Sequence, residues 1–230
     1  MQLTPDNTLP LDGTQGALVG RIWRPDVQGP SVVALRDGMV EDISASYPTV
    51  RDLCETPDPA AALRAAKGVA VCSLDDLLAN SSAAPSHQDR PWLLAPCDLQ
   101  AIKAAGVTFA TSMLERVIEE KARGNPAAAA AIRTEIQALI GDDLSKLTPG
   151  SEQAMALKQV LIAQGVWSQY LEVGIGPDAE IFTKAPVLAA VGCGAEAGLH
   201  PASHWNNPEP EVVLAINSRG QVVGATLGND

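Results

Sequence analysis

Three carboxylates in the last 22 residues of the sequence, Glu209, Glu211 and Asp230, have the types and spacing to bind one hard metal ion. Residues i and i+2 of a β-strand face the same side, so Glu209 and Glu211 point together if their segment is extended. Three carboxylates on one face repel each other unless a cation lies between them. The alternative is that these acidic side chains, at a strand start and a chain end, are simply solvated.

A β-hairpin must position these carboxylates. Residues 208–217 predict a strand, because Val, Leu and Ile follow a proline-marked start. Asn217-Ser218-Arg219-Gly220 predicts a turn, and residues 221–227 predict the return strand. If Asn217 pairs with Gly220, the expected register places Glu211 opposite Thr226 and Glu209 opposite Gly228. Asp230 is then diagonal to Glu209 on the same face, whereas a slip of one residue would turn it away.

Composition narrows the class of protein. The chain has 230 residues, of which 46% are hydrophobic and 3% aromatic, so Ala, Val and Leu must fill its core. The net charge of −11 argues against nucleic acid as a partner, since nucleic-acid binding requires a basic surface. The sequence has no signal-peptide pattern and no long apolar run, so we expect a cytoplasmic protein without a membrane span. The four cysteines lack Cys-x-x-Cys spacing, which favours reduced thiols over zinc ligands.

The elements predict an α+β protein with two domains. Residues 1–90 form a small α+β domain with an Asp37-Gly38 hairpin, and residues 80–91 are the linker candidate. Residues 91–230 form the second domain, in which a helical insert at about 112–165 precedes a β-rich tail from about Tyr170. Helix starts are predicted by side chains that can cap them, namely Thr49, Asn125 before Pro126, and Ser151.

Four segments, taken in order, resemble the fumarylacetoacetate hydrolase superfamily. They are Gly106-Val107-Thr108-Phe109 followed by Glu115, then Glu180-Ile181-Phe182-Thr183-Lys184, then Glu209-Pro210-Glu211, and finally Gly228-Asn229-Asp230. The family has a Gly-Val-Asn-Tyr-like loop, a Pro-Glu-Leu-Phe-x-Lys segment, a Glu-x-Glu pair and an Asn-Asp about twenty residues later. The resemblance covers residues 92–230.

The resemblance implies a fold and a cofactor. The fold is a mixed β-sandwich or β-roll, of which this chain is expected to hold only the N-terminal portion. The implied metal ligands are Glu209, Glu211 and Asp230, and the implied ion is Mg²⁺ or Mn²⁺, which oxygen ligands favour over zinc. Family members act on 2-oxo acids, whose carboxylate and keto oxygens chelate the ion while it stabilises an enolate.

One departure from the family pattern favours dehydration over hydrolysis. Hydrolases of the family have a histidine where this sequence has Ser112, and Thr108 replaces their asparagine. A serine cannot serve as the general base that an imidazole is near neutral pH. The loop instead resembles the 2-keto-3-deoxy sugar acid dehydratases, which convert 2-keto-3-deoxypentonates to 2-oxoglutarate semialdehyde. The alternative is C–C bond hydrolysis of fumarylacetoacetase or acylpyruvase type.

The resemblance also implies roles for five further residues. Glu180 is expected to handle the C3 proton or a water, and Lys184 to contact the substrate carboxylate. Ser112, Glu115 and Arg116 are expected to bind substrate from the start of a helix. The alternatives are a solvated Glu180, a structural ion pair for Lys184 and a solvated helix face for Glu115 and Arg116.

Two further expectations concern the whole chain. Family members are commonly dimers or tetramers, so a homo-oligomer is expected. The family's remaining strands would follow Asp230, so the chain is expected to be a truncated and inactive member or a fragment if it ends there. A protein that merely binds metal or oligomerises is a third possibility.

Overall fold

The computed structural model describes residues 2–83, 87–106, 115, 117–119, 121–123, 125–163 without 141–146, 165, 167–178, 180–204, 206 and 208–230, with main chain alone at 135–140 and 170. The described helices are α1 Pro5–Thr8, α2 Val50–Cys54, α3 Pro59–Ala65, α4 Leu74–Ser81, α5 Pro126–Ile140, α6 Glu152–Ala163 and α7 Gln169–Ile175. The described strands are β1 Leu18–Arg24, β2 Gly29–Arg36, β3 Met39–Asp42, β4 Val69–Ser73, β5 Trp92–Leu94, β6 Ile102–Ala105, β7 Ile181–Ala185, β8 Pro210–Ile216 and β9 Val222–Asn229.

The helices and antiparallel sheets make this a mixed α+β protein, as predicted. It divides into two compact units, Met1–Ile102 with Ala185–Asp230, and Lys103–Lys184. The segment from residue 185 onward therefore clusters with the N-terminal part of the chain. The division into domains 1–90 and 91–230 stays a prediction.

A five-stranded sheet in the order β4-β3-β2-β1-β5 organises the first unit. Alternate residues of β2 face opposite sides of it. Val32 and Ala34 are buried in a cluster with residues of α2 and α3, whereas Val33 is buried in a cluster with Leu77 of α4. The predicted Asp37-Gly38 turn connects β2 to β3, with Arg36 paired to Met39 and φ of 48° and 76° at the two turn residues.

Capping predicted several helix starts correctly. The Thr49 hydroxyl accepts a hydrogen bond from the Asp52 N–H, and the Asn125 side chain accepts from the N–H groups of Ala127 and Ala128. The Ser151 hydroxyl accepts from the Ala154 N–H. These side chains satisfy N–H groups that have no partner within their own helix.

The predicted linker is partly an ordered loop. The Asn80 side-chain amide donates to the carbonyls of His87, Arg90 and Pro91, and its oxygen accepts from the His87 N–H. The buried Asn80 side chain thus supplies hydrogen bonds to main-chain groups of this loop, whose helix- and strand-breaking residues prevent regular backbone pairing. Residues 84–86 lie outside the described part of the chain.

The second unit is mainly helical. Leu161 of α6 and Leu171 of α7 are buried with Val117 and Ile118, which are in helical conformation. The prediction that a β-rich tail begins near Tyr170 is wrong, because residues 169–175 form α7. Leu171 and Ile175, four residues apart and so on one helical face, are both buried, and this packing favours helix.

The four cysteines are free. Cys54 is buried, and Cys72 and Cys97 are partly buried. Burial raises the pKa of all three thiols, which favours the unreactive protonated form. Cys193 is exposed.

Among the helices that the structure describes, none is long and apolar enough to cross a membrane.

Candidate metal centre and the other motif residues

The three predicted ligands lie on one face of the β8–β9 hairpin, but in a different register from the predicted one. Glu211 is opposite Gly228, not Thr226, and the Asp230 N–H donates to the Glu209 carbonyl at 2.9 Å. Glu209 and Asp230 are therefore directly across from each other rather than diagonal. The predicted shared face holds because the register differs by two residues, an even number.

Two local features cause the change of register. The turn closes between Asn217 and Gln221, where the Asn217 N–H donates to the Gln221 carbonyl at 3.0 Å, so it is one residue longer than expected. The Asn217 side chain stabilises this longer turn by accepting from the N–H groups of Arg219 and Gln221. A β-bulge adds the second residue, since Ala215 pairs with Gly224 and Ile216 with Val222, leaving Val223 between them.

Asn229 fixes the main chain at the open end of the hairpin. Its side-chain oxygen accepts from the Glu209 N–H at 2.7 Å, while the Glu209 carbonyl accepts from the Asp230 N–H. Both main-chain polar groups of Glu209 are thus bonded to the strand that carries Asp230. The backbone positions of two predicted ligands are fixed relative to each other before any ion binds.

The donor set suits a hard divalent cation. Three carboxylates offer only oxygen ligands, which Mg²⁺ and Mn²⁺ prefer, and side chains directly opposite in a sheet have Cβ atoms about 4.5–5.5 Å apart. Gly228 leaves the position opposite Glu211 free of a side chain, and a Cβ there would come within 2.9 Å of the Val213 Cγ2 atom. Within the described ranges, no three His, Cys, Asp or Glu side chains are already grouped closely enough to hold a metal. Binding would therefore draw together side chains that now share a face.

Glu180 lies beside Gly106, which brings two of the sequence motifs into contact. The Glu180 carbonyl accepts from the Gly106 N–H at 2.9 Å where β6 ends and β7 begins. A Cβ at Gly106 would lie 2.6 Å from the Glu180 Oε2 atom and would also clash with Val173. An alanine at this position would force Val173 or the side chain of Glu180, which is an exposed residue, to shift.

Lys184 shares the strand that follows Glu180. Strand alternation puts Phe182 and Lys184 of β7 on one side and Thr183 on the other, where its hydroxyl accepts from the Lys103 ammonium. Lys184 is exposed, and so is Phe182 at 41%. Phe182 and Lys184 thus share one side of β7, and both are exposed.

Glu115 is held in an ion pair. Arg133 of α5 donates from Nε to Oε1 at 3.1 Å and from Nη2 to Oε2 at 2.6 Å. Such a two-point pair orients the carboxylate, although both side chains are more than 40% exposed, so its contribution to stability is small. The other two predicted substrate-binding residues, Ser112 and Arg116, lie outside the described residues.

The predicted site residues fall into both compact units. Glu209, Glu211 and Asp230 belong to the first, and Glu115, Glu180 and Lys184 to the second. The structure brings Glu209 next to Asp230 and Glu180 next to Gly106. Sequence reasoning gave no role to Asn229, although its place in Gly228-Asn229-Asp230 was a signal, and missed Arg133, whose partner Glu115 is 18 residues away.

Comparison with known proteins gives a partial likeness. A probable 2-keto-3-deoxyxylonate dehydratase from Haloferax volcanii is 38% identical over 61 residues, which are 26% of this chain and 21% of that relative. The match thus spans about a fifth of the curated relative's length. No protein-family model matches the chain, and no solved structure matches it.

Proposed function

We propose that this chain belongs to a divalent-metal-dependent dehydratase of 2-keto-3-deoxy sugar acids. The observation that carries the proposal is the hairpin register, in which Glu209 and Asp230 are directly opposite and Glu211 shares their face. The partial likeness to a probable 2-keto-3-deoxyxylonate dehydratase supports the substrate class. The four motif segments support the fumarylacetoacetate hydrolase superfamily and its β-roll.

Glu209, Glu211 and Asp230 would hold Mg²⁺ or Mn²⁺. When bound, such an ion supplies a Lewis acid for the 2-oxo carboxylate and neutralises the negative charge that develops as C3 loses a proton. Asn229 would keep the Glu209 main chain in place through its 2.7 Å hydrogen bond, which limits the reorganisation that binding requires.

The dehydration removes one water: the C3–H and C4–O bonds break, the C4 hydroxyl leaves with the proton as water, and a C3–C4 double bond forms. Tautomerisation then removes one hydrogen from the C5 carbon and the proton of the C5 hydroxyl, and adds one hydrogen each to C3 and C4, which gives 2-oxoglutarate semialdehyde. We assign the C3 proton to Glu180, whose carboxylate lies beside Gly106, the first residue of the Gly-Val-Thr-Phe segment. Lys184 would bind the substrate carboxylate by its charge, and Ser112 and Arg116 would add substrate contacts. Glu115 would bind substrate in an orientation fixed by Arg133, because the two residues form a two-point ion pair.

A C–C bond hydrolase is the competing activity. It requires a base that activates water, and Ser112 stands in the place of the family histidine. The same resemblance supports a homo-oligomer, dimer or tetramer, as part of the proposal, and a cytoplasmic location stays a prediction.

A substrate panel tests the proposed reaction. The chain is incubated with 2-keto-3-deoxyxylonate and, separately, with an acylpyruvate, in Mg²⁺ and after EDTA treatment. We expect 2-oxoglutarate semialdehyde from the sugar acid, its loss with EDTA and its return with added Mg²⁺. Pyruvate release from the acylpyruvate without dehydration would favour the hydrolase, and no turnover of either would favour the inactive chain.

A further inference from the structure

The turn of the β8–β9 hairpin is bound by one distant carboxylate, that of Glu55. The Ser218 N–H donates to Glu55 Oε1 and the Ser218 hydroxyl to Oε2, both at 2.7 Å. Arg219 Nη1 donates to the Glu55 carbonyl at 3.2 Å and lies 3.4 Å from Oε2, and its Nη2 donates to the Thr56 carbonyl at 3.3 Å. Two successive turn residues thus make five hydrogen bonds to Glu55 and its neighbour.

Glu55 is itself in a fixed position. It is the C-cap of α2, and its N–H donates to the Arg51 carbonyl at 3.1 Å. The other end of α2 is held by Asp98, whose carboxylate accepts from the Val50 N–H at 2.6 Å and the Arg51 N–H at 3.2 Å. Leu53 of α2 is 2% exposed in the core. The hairpin turn is therefore attached to a helix whose start is held by Asp98 and whose Leu53 is buried.

Two residues at the turn end of the hairpin are packed: Asn217 is 6% exposed and Val223 is partly buried. The bulge residue Val223 packs against the core cluster that contains Val32 and Leu53. Towards the open end, Val212 is 70% and Leu227 is 80% exposed. The turn and bulge thus secure the hairpin against its own compact unit, and the predicted ligands lie at the opposite end.

We propose that Glu55 is a positioning residue for the candidate metal centre, because it fixes the turn and with it the direction of the hairpin end that carries Glu209, Glu211 and Asp230. This inference rests on the proposed metal-dependent function. Glu211 is six positions from Asn217, about 20 Å at the rise of an extended strand, so Glu55 acts through the hairpin and not by contact with the ion.

The chemistry of Glu55 suits this role. Its two oxygens accept from both donors of Ser218 while its charge faces the Arg219 guanidinium. The hydrogen bond from Ser218 holds the pKa of Glu55 below its usual value, so the carboxylate is ionised at neutral pH. A neutral amide at this position loses the charge-assisted bonds.

Glu55→Gln tests the inference, with Glu41→Gln as the matched control. Glu41 lies in the same unit, pairs with Arg36 and has a side chain 25% exposed, compared with 27% for Glu55. Two quantities are measured: the Mn²⁺ dissociation constant, from the signal of free Mn²⁺ in electron paramagnetic resonance, and amide hydrogen exchange along residues 210–229. We expect Glu55→Gln to accelerate exchange in the hairpin about fivefold or more without changing β1 and β2, and to weaken Mn²⁺ binding about three- to tenfold. Glu41→Gln should leave both quantities of the hairpin unchanged.

The outcomes separate the two proposals. A wild-type chain that binds no Mn²⁺ overturns the proposed function and the positioning role with it. A wild-type chain that binds Mn²⁺, with an unchanged dissociation constant in Glu55→Gln, overturns the positioning role alone. A loss of affinity in Glu41→Gln equal to that in Glu55→Gln would also overturn it, since the effect would then reflect general destabilisation. If Glu55→Gln does not fold, Ser218→Ala removes one donor of the same contact and is judged by the same two measurements.

Discussion

Glu209 and Asp230 are opposite each other because they directly flank the paired ends of β8 and β9 and their main chains are hydrogen-bonded to each other. Strand periodicity was sufficient to predict that Glu209, Glu211 and Asp230 share one face. It was not sufficient to predict which residues pair, because the register depends on the turn length and on the Val223 bulge. Neither the turn length nor the bulge has a sequence pattern as strong as the alternation of side chains along a strand.

The Glu180–Gly106 contact shows the same limit at another position. Both residues belong to segments that sequence reasoning singled out, yet their contact spans 74 positions and depends on the pairing of β6 with β7. Propensity and periodicity describe single elements, so they do not reveal which carboxylate fills the space above a given glycine.

Gly106→Ala is expected to destabilise the chain, because the new Cβ would clash with Val173 and come within 2.6 Å of Glu180 Oε2. We expect a loss of about 1–3 kcal/mol, the usual cost of overpacking, measured from the urea unfolding midpoint and slope. Gly198→Ala is the control, since a Cβ at Gly198 has no heavy atom within 4 Å. Equal midpoints for the two variants would contradict the close approach at Gly106.

At the scale of elements, the residues at which helices start were easier to predict than the residues against which helices pack. Thr49, Asn125 and Ser151 cap their helices through bonds to residues two or three positions away, so the signal is local. The sequence did not predict α7, because burial of its apolar face stabilises this helix and no capping side chain marks its start. The Ser168 side chain at its N-cap makes no cap hydrogen bond. Tertiary packing thus decided an element that local patterns left open.

Asp98 holds one such element, α2, from 48 residues away. Its buried carboxylate accepts from the N–H groups of Val50, Arg51 and Leu99 and lies 3.7 Å from Arg21 Nε. Asp98→Ala leaves the buried Arg21 without this charge and the start of α2 without its acceptor, so we expect a loss of about 3–5 kcal/mol.

Denaturant unfolding of Asp98→Ala beside Asp89→Ala checks this expectation, because Asp89 is an exposed aspartate of the same unit. A loss below about 1 kcal/mol in Asp98→Ala, the range of surface substitutions, would contradict the anchoring of α2 by Asp98.

At the scale of the whole molecule, the sequence predicted the α+β class and the main hairpin but not the association of distant segments. Residues 185–230 cluster with residues 1–102, and Glu55 binds a turn 163 positions later. Glu55 has no distinguishing neighbours in the sequence, since its role depends on Ser218 and Arg219. The net charge of −11 would repel an anionic 2-oxo acid, and a bound cation would supply a local positive charge that attracts it.

Titration with Mn²⁺ tests the central claim, that Glu209, Glu211 and Asp230 form a metal centre. The measurement compares the wild-type chain with Glu211→Gln, and with Glu196→Gln as an exposed glutamate of the same unit. We predict one saturable Mn²⁺ per chain that Mg²⁺ displaces, at least about tenfold weaker binding in Glu211→Gln, and unchanged binding in Glu196→Gln. Absence of saturable binding by the wild type, or equal affinity in all three proteins, would contradict the account.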